Sequence, residues 1–118
     1  MDVQTIAAEI RQKIRDLGKG REELKHRAER KAQTIADYEK ALSITVIKLK
    51  NGRAFVIGDE TIESPPATVT ERIARGLCWK ERLAMEQAEA EYKNAIVGME
   101  SLMAELNGLQ SVNRYLAE

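Results

Sequence analysis

The strongest constraint in this chain is an apolar seam that keeps heptad phase over long stretches at both ends. Steps alternating four and three from Val3 land on Ala7, Ile10, Ile14, Leu17, Arg21, Leu24, Ala28, Lys31, Ile35, Tyr38, Leu42, Thr45 and Leu49. Among these only Arg21, Lys31 and Thr45 are polar. A second seam from Cys78 lands on Glu81, Met85, Ala88, Tyr92, Ala95, Met99, Leu102, Leu106, Leu109, Asn113 and Leu116, with only Glu81 and Asn113 polar. A seam held this long without a phase reset belongs to a long helix with a coiled-coil face. The pattern predicts an all-α fold with one helix over residues 1–50 and another over 77–117. The first would be roughly 70 Å long at about 1.5 Å per residue.

Gly18 and Gly20 each cost about 1 kcal/mol relative to Ala inside a helix. The seam passes through them in phase, so a bend at 18–20 is expected rather than a break. Lys50-Asn51-Gly52 reads as a helix C-terminus, with Lys in the last turn and Gly beyond it. A competing reading pairs Ile44–Ile47 with Ala54–Ile57 as a hairpin around Asn51-Gly52. The heptad phase through Leu49 weighs toward the helix. Residues 51–66 are then a loop with a short extended segment around Phe55–Ile57, Gly58-Asp59 and Thr61-Ile62. Pro66 suits the first turn of a short helix over 67–76, with Gly76 at its end. The expected architecture is a long antiparallel helical hairpin, capped by this middle segment, within one domain of 118 residues.

Composition agrees with that architecture. About a third of the residues are charged, and only Tyr38, Phe55, Trp79, Tyr92 and Tyr115 are aromatic. Such a chain suits long helices better than a thick core. Ile6, Ile44, Ile47, Ile96, Met103 and Val112 lie beside the seams and widen the apolar stripe. Two helices alone bury little, so a homo-oligomer is expected, a dimer above all. Its seam would run through Ile35, Tyr38, Leu42, Tyr92, Met99, Leu102, Leu106 and Leu109. Apolar runs fall far short of a membrane span. No secretion leader is read at the start, and Cys78 is the lone cysteine. A cytoplasmic protein without membrane contact is expected.

The net charge is zero but unevenly placed. Residues 11–31 hold nine bases and four acids, and residues 79–118 hold four bases and seven acids. Pairing between a basic first helix and an acidic last one accounts for this. A sharper alternative is a phosphate-binding stripe through Arg11, Lys13, Arg15, Lys19, Arg21, Arg27 and Arg30. Interleaved acids and the absence of an aromatic residue within that run weigh against it.

Catalytic patterns are thin. Glu23-Leu24-Lys25-His26 matches the Glu-x-x-His step of helical di-iron proteins, but such sites need two of these motifs and His26 is the sole histidine. Cys78 lacks a paired base and reads as a packed thiol. Trp79 is expected to cover the base of the hairpin, against Phe55. Gly18-Lys19-Gly20 lacks the strand and the Lys-Ser/Thr ending of a phosphate loop. Asp59, Glu60 and Glu63 do not complete a metal loop. No enzyme, cofactor or metal is expected.

Several strings resemble a group of small helical proteins encoded by phages and prophages of Gram-positive bacteria. They are Tyr38-Glu39-Lys40-Ala41-Leu42, Lys48-Leu49-Lys50-Asn51-Gly52, Pro65-Pro66-Ala67-Thr68 and Ile73-Ala74-Arg75-Gly76. Tyr92-Lys93-Asn94-Ala95-Ile96 and Leu106-Asn107-Gly108-Leu109-Gln110-Ser111 add to them. The likeness runs from about Tyr38 onward and carries no catalytic chemistry. It implies a protein of the early phage gene region, near replication and recombination functions. The leading expectation is thus a non-enzymatic phage or prophage scaffold or adaptor, self-associating and open to other phage proteins through an exposed tip at Arg53–Ser64. The alternative is a nucleic-acid-binding accessory that uses the basic first helix.

Overall fold

The computed structural model describes residues 2–117. In chain order it has α1 (Val3–Lys50), β1 (Phe55–Ile57), β2 (Glu60–Ile62), α2 (Ala67–Leu77) and α3 (Trp79–Ala117). The fold is the expected helical hairpin with a short middle helix, and its sheet is one two-stranded ribbon. The helix reading of residues 44–50 holds, and α1 runs unbroken through Gly18 and Gly20. The chain divides into two compact units.

The first unit joins α1 up to Glu29 with α3 from Ala90 onward. Asp2 Oδ1 accepts the Thr5 N–H at 2.7 Å, a side-chain cap that satisfies one of the free donors of the first turn. This bond holds the Asp2 carboxyl below its ordinary pKa. The two helices run antiparallel. Lys13 pairs with Glu105, and farther along α1 the Arg27 guanidinium donates to the Glu91 carbonyl at 3.1 Å. Ile6, Leu17 and Leu106 are the buried apolar side chains of this unit.

The second unit spans Arg30–Glu89 and is built around a corner. α1 closes with a double bond set: Gly52 N–H donates to Leu49 O and Arg53 N–H to Lys48 O, at 3.1 and 3.0 Å. This is the Schellman arrangement, and Gly52 takes the left-handed conformation it requires, with φ 83°. The chain then forms the ribbon, with Phe55 opposite Ile62 and Ile57 opposite Glu60. Gly58, at φ 58°, starts the two-residue turn in the position where such turns favour glycine.

Pro66 precedes α2 with extended backbone. Its carbonyl accepts both the Val69 N–H and the Thr70 hydroxyl, so buried Thr70 is satisfied. α2 does not stop at Gly76. It includes Gly76 and ends at Leu77, and Cys78 alone separates it from α3. Helical bonds continue on both sides, from Cys78 N–H to Ala74 O and from Arg82 N–H to Cys78 O. The glycine is not needed as a terminator because the turn is a bend at Cys78 (φ −95°, ψ 27°) rather than a loop. Leu49, Ala74, Cys78 and Ala88 fill this corner, with Thr34 and Thr70 as buried polar residues.

Candidate functional site

On α1 the side turned inward differs by one residue from the sequence seam. Ile10, Leu17, Leu24, Lys31, Tyr38 and Thr45 are all at least half-buried, as their place in the seam requires. The alternate seam positions differ among themselves. Ile14 is 54% exposed and Arg21 is exposed too, whereas Ala7, Ala28, Ile35 and Leu42 are half-buried and Leu49 is buried. Ile6, Lys13, Gly20 and Thr34 are more shielded than the seam residues that follow them, and Arg27 is half-buried like Ala28. Two heptad series therefore share half of their positions. Around Ile14 and Arg21 in the first unit, the inward places go instead to Lys13 and Gly20, and Ile14 is left exposed.

The reasons are visible in the contacts of the first unit. A side chain at Gly20 would run into Met99 Sδ, so the Met99 side chain packs in the space that glycine leaves there. Lys13 sits inward because Glu105 meets it, and that hydrogen bond raises the Lys13 pKa. Arg27 is held by Glu23 at 2.6 Å as well as by the Glu91 carbonyl. The same guanidinium lowers the Glu23 pKa.

The seam residues of α3 are shielded more evenly. Tyr92, Met99, Leu102 and Leu109 are half-buried and Leu106 is buried. Met103 is 43% exposed, and Val97 and Val112 are exposed as well. In the second unit Ile35, Tyr38 and Leu42 are half-buried.

The seven candidate phosphate contacts do not form one stripe. Lys13 and Arg27 are turned into the hairpin and engaged there. Arg11, Arg15, Lys19, Arg21 and Arg30 are exposed, with Arg15 donating to Gln12 at 2.7 Å. Glu23 is taken by Arg27, and His26 lies 4.0 Å from Glu29, so the Glu-x-x-His step is dispersed along an exposed face. Among the described residues no group of three His, Cys, Asp or Glu side chains is placed to hold a metal. Cys78 is buried, with Thr45 Oγ1 at 3.4 Å from its sulfur.

Trp79 is where the structure departs most from the sequence reading. It does not cover the hairpin base. It is 56% exposed, with Lys80 Nζ 5.6 Å from its ring centroid, while Phe55 lies under Arg53. The reason is helical phase: Cys78 just before α3 and Glu81, Ala84, Met85 and Ala88 within it are shielded, so Trp79, Arg82, Leu83 and Glu86 occupy its outer face. With Arg72, Arg75 and Gly76 of α2 they line an open groove of about 540 Å³. The base of the groove is braced from the ribbon, where Ile57 Cδ1 approaches Gly76. The spacing 79, 82, 83, 86 is itself an i, i+3, i+4, i+7 stripe. That signal was present in the sequence, masked by the stronger seam beside it.

Comparison with protein-family models, with curated proteins and with solved structures gave no match.

Proposed function

We infer that this chain is a non-enzymatic helical adaptor that works as a homo-oligomer, a dimer in its simplest form. The observation that carries this reading is Ile14, an apolar seam position of α1 that stays 54% exposed in the first unit. Ile14 and half-buried Ala7 and Ile10 form an apolar flank, and Lys13, Gly20 and Arg27 take the inward places instead. On α3, Ile96 and Met103 continue the flank beside Met99, because antiparallel packing brings these two helix faces to the same side of the hairpin. Heptad spacing on such a face suits another helix pair better than an irregular partner.

The likeness to phage-encoded helical proteins fits an accessory of this kind inside a host cell, with the tip at Arg53–Ser64 left open to a second phage protein. The first-helix nucleic-acid reading is the weaker one, since two of its seven cations are engaged within the hairpin.

Melting followed by circular dichroism over a range of protein concentrations tests this. A midpoint that rises with concentration is the expected result, because association stabilises the folded chain by mass action. A midpoint independent of concentration would sink the oligomer.

A further inference from the structure

The outer groove of the second unit combines three features that self-association does not use. Its wall is the chain's sole tryptophan, more than half exposed. Its rim carries Arg72, Arg75 and Arg82 with one carboxylate, Glu86, and Lys80 lies beside the indole. Its base at Gly76 has no side chain. Exposed indoles are costly to leave in water, and a cation set around one is a receptor for something both flat and anionic.

We propose that this groove binds single-stranded nucleic acid, with a base stacked on Trp79 and the backbone phosphates on Arg72, Arg75 and Arg82. Arg72 has no ion pair among the described residues. Arg75 holds Glu71 at 2.7 Å and Arg82 holds Glu86 at 3.3 Å, both through half-exposed pairs along one helix. Such pairs contribute little and exchange readily for a phosphate. One stacking face with a few cations is enough for a short stretch of single strand. A duplex hides its bases, so the groove prefers unpaired strands. Sequence preference is weak, because any base offers a face to the indole.

The site is independent of the apolar flank on the first unit, and it replaces the first-helix stripe as the place for phosphate. The test uses the full chain and a short fluorescein-labelled oligothymidylate, read by anisotropy at low salt, with intrinsic Trp79 fluorescence as a second readout. Saturable binding that weakens with added salt and quenches Trp79 is expected. Arg72→Ala and Trp79→Leu should each weaken binding about tenfold, at unchanged helicity. A triple variant Arg11→Ala, Arg15→Ala, Arg21→Ala should bind like the parent.

The proposal is overturned by an absence of binding at low salt. It is equally overturned if Arg72→Ala and Trp79→Leu bind as well as the parent. Quenching and competition by poly-L-glutamate as strong as by oligothymidylate would assign the groove to an acidic polypeptide instead. Should Trp79→Leu fail to fold, Arg72→Ala and the quenching of native Trp79 still decide.

Discussion

The two units of this chain solve the same problem, packing α1 against α3, by different means. In the second unit a third helix and a ribbon close over the pair, and small side chains fill the corner: Ala74, Cys78 and Ala88 beside Leu49. Its buried hydroxyl on Thr70 is satisfied by the Pro66 carbonyl. In the first unit nothing closes over the helix pair. Its contacts are a cross-helix ion pair, a guanidinium on a carbonyl, a glycine beneath a methionine, and three buried apolar side chains. The difference shows what a third element does for two helices. It lets one region complete its own core and leaves the other with an apolar flank that a second copy can cover.

The largest expected effect comes from placing a charge in the thinner unit. Leu106→Asp buries a carboxylate among apolar neighbours and should cost about 4 kcal/mol. Urea unfolding should report that loss, and the oligomer should dissociate. Hydrogen exchange should show that amides of Arg30–Glu89 stay protected, whereas uniform loss of protection would mean that the units share one core.

Leu49→Ala is the counterpart in the corner. Leu49 is 1% exposed. Its truncation should cost about 3 kcal/mol, with loss of protection concentrated in α2 and the ribbon. A cost under about 1 kcal/mol would mean that the corner collapses around the cavity and is less closely packed than described.

Two glycine substitutions separate packing from propensity. A Cβ at Gly18 meets nothing within 4 Å. Gly18→Ala should therefore stabilise by about 1 kcal/mol in thermal melts. Gly20→Ala gains the same propensity but must displace Met99, so it should fall below Gly18→Ala. Equal gains at both positions would show that Met99 moves aside from Gly20 at no cost.

The smallest effect is electrostatic. Glu105 raises the Lys13 pKa, so this pair's contribution is fully present below the ordinary lysine value. It fades as pH rises through the raised one. Glu105→Gln should slightly lower stability near neutral pH, and the difference from the parent should vanish above the lysine range. A difference that persists there would show that Glu105 acts through packing.

Much of this architecture is legible in the residues. The two seams give the helices, Asn51-Gly52 gives the end of α1, and Gly58-Asp59 gives the ribbon turn. Two things are not legible, for the same physical reason. Ile10, Leu17 and Leu24 belong equally to two heptad series one residue apart, so periodicity alone cannot say whether Ile14 or Lys13 faces α3. The choice depends on Glu105 and Met99, about ninety and eighty residues away in sequence. The place of Trp79 at the start of the last helix suggests a cover over the hairpin base, yet the residue is 56% exposed. Its direction follows from the bend at Cys78, which no local pattern announces.

In the proposed dimer a second copy covers the flank that carries Ile14 and Met103. Light scattering of the purified parent beside Ile14→Asp tests it most directly, since Ile14 is already solvent-facing within one chain and its replacement should spare the hairpin. The account predicts a mass of twice 13.3 kDa for the parent and a single-chain mass for Ile14→Asp at unchanged helicity. A fully helical parent with the mass of one chain would contradict it.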